Sequence, residues 1–385
     1  ANSRVLNDDG FYEIGNAPQF MWFAKYVNDN HADANAILIA NIDFGKVFGG
    51  GYTWTPVGTD SYKGTFDGKG FTITNFEVTS NADHFGLFGK LTDGAVVKNF
   101  TIEGTINSLN QYVGVIGSAG VGTVNISDIH SKVNINCSKS RHGGIIGFQN
   151  STGTININRC IYSGTMDAGS PVGNLGGIIG LTQNSTSAYV NITDCLFDGT
   201  ILDGNAAKSN AGGIVGYANK TKVTIKNCLS VGTIVSENPS PFIGQLNASN
   251  SKWAGKNYYT REGNLVGIPG SGVTVSGTEP VKTDEGQLLC GDICWVLNGA
   301  QFLDAVWRQT VDVDPYPLPT CEGNYVYSFA SGCQNITSEN IAEVINDLSD
   351  VEMEFVENEE LVANKALIEQ FKNSIQSWES ITDFD

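Results

Sequence analysis

The chain has 385 residues, 41% hydrophobic and 16% charged, with 46 glycines and a formal net charge of −18 at pH 7. So much glycine with so little charge argues against a helix-rich enzyme, and the acidity argues against a nucleic-acid partner. There is no run of 18 or more apolar residues, so the chain is not expected to insert into a membrane.

The opening ANSRVLNDDG has no signal-peptide character and reads as the start of a mature or trimmed chain from which an export signal has been removed. Residues 16–28 place Phe20, Phe23, Ala24 and Val27 on one helical face with Pro18 near the start, which predicts a short helix plugging one end of the fold. Strand-like ILIANIDF (37–44) follows, then WTPVG (54–58) and YKGTFDGKGFTITNFEV (62–78), where Asp67-Gly68 signals a tight turn.

From residue 86 a glycine phrase keeps returning: GLFG at 86–89, GVIG at 114–117, GGIIG at 143–147 and 176–180, GGIVG at 212–216, and a worn PFIGQL at 241–246. The closing glycines 89, 117, 147, 180, 216 and 244 are 28, 30, 33, 36 and 28 residues apart. That period belongs to solenoids and is too irregular for an array of helical pairs. Each phrase is followed by short β-branched segments: 96–106, 124–135, 155–166, 190–201 and 223–234. Two or three strands per repeat, with no helical periodicity between them, predict an all-β parallel β-helix in which each strand pairs with its equivalent one coil away. In each phrase the Ile-Ile or Ile-Val pair is expected to place one side chain inside.

Strands stacked ~4.8 Å apart put equivalent side chains in columns. One column reads Phe76, Phe100, Ile129, Cys160, Cys195, Cys228 and Tyr258, and a second reads Ile106, Ile135, Met166, Ile201 and Ile234; both are expected to face inward. A polar stack of Thr105, Asn134, Thr165, Thr200 and Thr233 lies beside the second. Just before the first runs Asn75, Asn99, Asp128, Arg159, Asp194, Asn227 and Asn257.

The run from WTPVG through YKGTFDGKGFTITNF to GLFG, followed by VVKNFTIEGTI and the repeated GGIIG, resembles the GLUG-motif repeat proteins. These are bacterial surface proteins, including adhesin-like lipoproteins of gut commensals and the non-catalytic part of immunoglobulin A1 peptidases. The resemblance spans roughly residues 16–320, because 283–299 and 307–319 look like the closing helix and strand of such proteins. It implies a right-handed β-helix, a hand that parallel crossovers generally favour. The peptidases of this group carry H-E-x-x-H for zinc, whereas the four histidines here stand in HADAN, HFGLF, HSKVN and HGGII, so the shared repeats do not bring that chemistry with them.

Beyond residue 320 the texture changes. Residues 336–385 hold 13 acids and two lysines, and two helical stripes are predicted, one from Thr337 or Ser338 through Leu348 and one from about Glu359. Residues 1–320 therefore read as a capped β-helix and 321–385 as an acidic, mainly helical segment. Cys160, Cys195 and Cys228 are expected as free inward thiols, while Cys290 with Cys294 and Cys321 with Cys333 are the candidates for disulfides.

Two regions qualify for function. Asp128, Arg159 and Asp194 alternate in sign on adjacent coils, which reads either as an acid–base set, as in β-helices that cleave acidic polysaccharides, or as an ion-pair ladder that keeps like charges apart. The insertions before each glycine phrase (107–113, 136–142, 167–175, 202–211 and 235–241) leave the solenoid at one corner and should form a rim; Tyr112, Arg141, His142, Asp167, Asp203 and Lys208 are its candidate binding residues. Calcium is the one cofactor that the polysaccharide-cleaving precedent leaves open. These readings point to an extracellular surface protein, a lipoprotein among its forms, that binds a host or dietary glycan or a surface protein. A polysaccharide lyase or glycoside hydrolase, or the non-catalytic part of a larger peptidase, are the alternatives.

Overall fold

The structure is a computed structural model that describes residues 5–149, 152–170, 172–183, 186–204 and 210–354. Strand Thr123–Cys137 shows how its coils are built: Val124, Ile126, Ile129, Val133 and Ile135 are buried, and most of the side chains between them face out. That alternation repeats one coil later, so neighbouring strands pair in parallel and bury the same positions. Val97, Ile126, Ile157, Ile192, Ile225 and Trp253 form one such file through consecutive pairings. The result is a parallel β-solenoid of about seven turns.

The second predicted column stands in register, Ile106 beside Ile135, then Met166, Ile201 and Ile234, all at most 2% exposed. Of the first column, Phe100 pairs with Ile129, and the register of the flanking residues carries the file on through Cys160, Cys195 and Cys228. Both ends depart from expectation. Phe76 is buried but sits opposite Gly104, not beside Phe100, because the pairing shifts after Ile73. At the far end Tyr258 pairs with Leu229 and is half-buried, and Asn257, 2% exposed, takes the place beside Cys228, whose N–H donates to its Oδ1 at 2.9 Å.

The polar column has a backbone cause. Asn75, Asn99, Asp128, Arg159, Asp194 and Asn227 all have φ between 50° and 62°; Asn99 and Asp128 kink a continuous strand at this corner, and at Arg159, Asp194 and Asn227 the corner separates two strands of one coil. Asn and Asp enter the left-handed region more readily than other residues with a Cβ, which accounts for every member except Arg159.

The glycine phrases also have a steric cause. The seven-stranded sheet that carries them is overlaid by a short four-stranded sheet at His142–Gly143, Leu175–Gly176, Asn210–Gly212 and Asn238–Ser240. The two layers meet backbone to backbone. A Cβ on Gly147 would lie 2.5 Å from the Tyr112 carbonyl carbon, one on Gly180 2.6 Å from that of His142, and one on Gly216 2.7 Å from that of Asn174. Each closing glycine thus lies beneath the chain of the preceding coil. Because of this overlay both members of each hydrophobic pair are buried, Ile145 with Ile146, Ile178 with Ile179 and Ile214 with Val215, not one of each.

Helix α1 (Ala17–Asn28) is capped by Asn16, whose side chain accepts from the Gln19 N–H at 3.0 Å, and it buries Phe20, Phe23, Ala24 and Val27. Phe20 packs on Phe44, Trp54 and Phe66 at ring distances of 5.3–5.9 Å and covers the interior at that end.

The chain divides into two compact units, Ala1–Thr283 and Asp284–Asp385, so the segment expected to close the solenoid groups with the C-terminal unit. There two short helices, α2 (Glu285–Leu289) and α3 (Asp292–Leu297), replace one longer helix. Two antiparallel pairs follow, Trp307–Arg308 with Leu318–Pro319 and Val326–Phe329 with Gly332–Asn335, and then α4 (Ile341–Glu354). The second predicted helical stripe lies outside the described residues. All eight cysteines are free thiols, so neither the Cys290–Cys294 nor the Cys321–Cys333 bridge is formed. Cys290 caps α2, Cys294 points into the unit's core and Cys321 is exposed.

Candidate binding groove

One residue past the second buried column, the chain turns outward into the rim insertions. Asn107, Asn136 and Asp167 occupy this position on successive coils, paired in register. With Ser108, Leu109, Cys137, Ser138, Ala168 and Gly169 they line an open groove of about 360 Å3. Its floor is a chain of side-chain hydrogen bonds running along the solenoid: Asn107 Nδ2 donates to Thr79 Oγ1 at 3.3 Å, and Asn136 Nδ2 donates to Asn107 Oδ1 at 2.7 Å. Asp167, exposed, accepts the Gly169 N–H at 2.8 Å through one carboxylate oxygen. Burial, with the nearby Asp203 and Asp167 charges adding to it, pushes the Cys137 thiol up, so it is a packing group with no thiolate character.

Tyr112 and Arg141 meet outside this groove. Arg141 Nη1 donates to the Tyr112 hydroxyl at 3.0 Å, and its guanidinium lies 5.7 Å from the ring centre. The Tyr112 ring stacks on Phe148 at 4.3 Å and on His84 at 4.8 Å, and those two rings are themselves 6.1 Å apart, so the three form one packed aromatic cluster.

Two of the expected rim residues are not at the surface. His142 is fully buried in the file Val113, His142, Leu175, Ala211, where hydrophobic residues otherwise stand. Burial lowers its pKa to about 3; Nδ1 accepts the Val113 N–H at 3.3 Å and Nε2 has no partner. Asp203 is also fully buried and accepts the Val172 and Gly173 N–H groups at 2.8–3.1 Å, which ties down the insertion of the coil before it. Lys208 lies outside the described residues. Of the six, Asp167 alone lines the groove. Asn107 and Asn136 were legible only by reading one residue past the Ile106–Ile135–Met166 column to the sequence Asn, Asn, Asp.

At the corner column, Arg159 holds Asp128 in a two-pronged ion pair, Nε to Oδ1 at 2.7 Å and Nη2 to Oδ2 at 2.9 Å, and Asp128 with Asp194 keeps the Arg159 pKa raised. Both oxygens of Asp128 are engaged. A second polar relay, not anticipated, crosses three coils: His130 Nε2 and Ser163 Oγ are 2.7 Å apart, and Ser163 Oγ donates to Asp198 Oδ1 at 2.6 Å. Serine is the middle member, so its proton points at the carboxylate and the arrangement is not that of a histidine-activated nucleophile. Among the described residues no group of three or more His, Cys, Asp or Glu is placed to hold a metal ion, and no helix is long and apolar enough to cross a membrane.

No protein-family model matches the sequence. Among solved structures, the chain is similar to a Bacteroides ovatus protein described as a candidate immunoglobulin A1 protease, with a TM-score of 0.56 and 20% identity over 81% of this chain and 93% of that one. At that identity the likeness is one of fold. A stretch of 144 residues is 30% identical to halomucin of Haloquadratum walsbyi, 32% of this chain but 2% of that protein's length.

Proposed function

We propose that this chain is a non-catalytic β-helix of the GLUG-motif kind, displayed outside a bacterial cell, that binds a host or dietary glycan or a surface protein through its rim. The observation that carries this reading is the groove at Asn107, Asn136 and Asp167. Equivalent rim positions on three successive coils line one surface rich in amide and hydroxyl groups, the chemistry of a recognition face on a rigid scaffold. The glycine seam supports the GLUG assignment because it gives a steric reason for the repeated phrase. The name carried by the Bacteroides ovatus neighbour fits a scaffold shared with peptidases, and no H-E-x-x-H occurs in the sequence.

The polysaccharide-cleaving alternative rests on Asp128, Arg159 and Asp194. A glycan and host-protein array run in parallel with a reducing-sugar release assay separates the two. Binding without release is the expected result; release that disappears in Asp128→Ala or Asp194→Ala would replace this reading with an enzymatic one.

A further inference from the structure

Two amide ladders run along the solenoid, and only one of them ends on a donor. In the first, Asn156 Nδ2 donates to Asn125 Oδ1 at 2.9 Å and Asn191 Nδ2 to Asn156 Oδ1 at 3.0 Å; the next residue in register is Thr224, whose hydroxyl is able to donate to the Asn191 oxygen. The groove ladder runs in the same direction, each amide donating toward the previous coil. Here the residue that should donate to Asn136 Oδ1 is Asp167, which when ionised only accepts. Two acceptors therefore face the solvent about one strand spacing apart, ~4.8 Å. No group among the described residues donates to Asn136 Oδ1, and Asp167 receives only the Gly169 N–H.

We infer that this step in the ladder is a subsite for an ammonium group, and that its occupant is the lysine side chain of a partner polypeptide. An ammonium carries three donors and one positive charge, which suits an amide oxygen beside a carboxylate. A divalent cation is a poorer fit, because the groove offers a single carboxylate where such ions take several anionic oxygens. Leu109, 49% exposed at the groove wall, gives the lysine methylenes an apolar surface. Residues 1–335 carry 27 acids against 20 lysines and arginines, a net −7, so the part of the chain that holds the groove is itself acidic and favours a basic partner. The inference rests on the binding role proposed above and names the chemistry of its partner.

The test uses the full chain, 15N-labelled, titrated with Nα-acetyl-lysine methylamide, its norleucine counterpart and glucosamine. Saturable shifts confined to residues 107–109, 136–138 and 167–169 are expected with the lysine probe alone, at millimolar strength. D167N removes the charge and supplies the missing amide donor, so binding should weaken at least tenfold while the thermal midpoint does not fall; E77Q, on the adjacent coil, should change neither. Equal shifts with the norleucine probe, equal or tighter binding of glucosamine, or full binding by D167N would each overturn the lysine subsite. Retained array binding in a chain that ignores the lysine probe removes this inference and leaves the broader one, whereas lysine binding with no array ligand does the reverse.

Discussion

Between Phe20 and Phe100 the interior is dominated by rings, and between Ile126 and Ile234 by aliphatic chains and thiols that repeat coil by coil, with the stacked pair Tyr162 and Phe197 as the buried rings that join their files. In the first region Phe44, Trp54, Phe66, Phe76 and Phe88 meet edge to face at 5.2–5.8 Å, and strand pairing shifts register beside them. In the second, near-identical side chains lie over one another and the register holds without a break. Large rings find good contacts in many arrangements, whereas a file of Ile and Cys packs well only when each lies over its counterpart. The middle coils are therefore held by repetition, and the end by a local cluster that tolerates irregular coils.

The sharpest way to break the repeating region is to insert a methyl into its glycine seam. A Cβ on Gly176 would lie 2.0 Å from the Ile179 carbonyl oxygen and 2.6 Å from the Gly216 nitrogen, both backbone atoms that cannot step aside. Gly176→Ala should therefore cost more than about 4 kcal/mol and be read in denaturant unfolding as loss of the cooperative transition. Gly169→Ala on the rim is the control: it has open space but a φ of 61°, so its cost should stay near 1–2 kcal/mol. Equal effects at the two sites would mean that the layers do not touch as described.

The contrast between the two interiors sets the next effect. Phe66, fully buried and in contact with Phe20, Phe88 and Phe100, should lose about 3–5 kcal/mol on change to Ala. Cys195→Ala removes one sulfur from an equally buried file and should cost roughly 1–2 kcal/mol. A Cys195 effect as large as that of Phe66 would show that the thiol file, not the ring cluster, carries the greater share of the packing.

His142 marks a place where the repeating region departs from its own pattern, and acid should find it. Its pKa is depressed by burial to about 3 from 6.5, so the folded chain binds fewer protons than the unfolded one between those values. The stability this residue contributes is complete above pH ~6.5 and is lost as the pH falls toward 3; at pH 4.5 the loss is on the order of 2–3 kcal/mol. His142→Val, which copies the residue at the equivalent Val113, should lose that part of the acid sensitivity, measured as the wild-type minus variant difference in unfolding free energy at pH 7.5 and 4.5.

The same contrast decides what was readable beforehand. The solenoid, its parallel pairing and the column Ile106 to Ile234 were legible because repetition imposes them, and the cap helix because Phe20, Phe23, Ala24 and Val27 mark one helical face. The places of Phe76 and Tyr258 were not, since at the ends a shifted register or a buried Asn257 satisfies the same backbone needs. The rim was legible as a rim, yet His142 and Asp203 look like surface chemistry in one dimension and turn out to be buried, one in a hydrophobic file and the other holding an insertion's backbone. Charge in a sequence does not tell whether its partner is solvent, a ligand or an N–H of the next coil.

The smallest predicted effect separates the two meanings of the corner column. Arg159 has φ 50°, a conformation that suits Asn better than Arg, and its ion pair with Asp128 is about one-third exposed on either side. Arg159→Asn gives up a partly screened pair, worth at most about 1 kcal/mol, and relieves the left-handed corner by a fraction of that amount. The net change should lie within about 0.5 kcal/mol in either direction. A loss of 2 kcal/mol or more would show that the guanidinium is needed to hold Asp128 and Asp194 together across adjacent coils, and that the corner is specified by charge more than by backbone. A near-zero change leaves the recurring Asn and Asp as the corner's requirement and Arg159 as the one coil where a longer side chain is tolerated there.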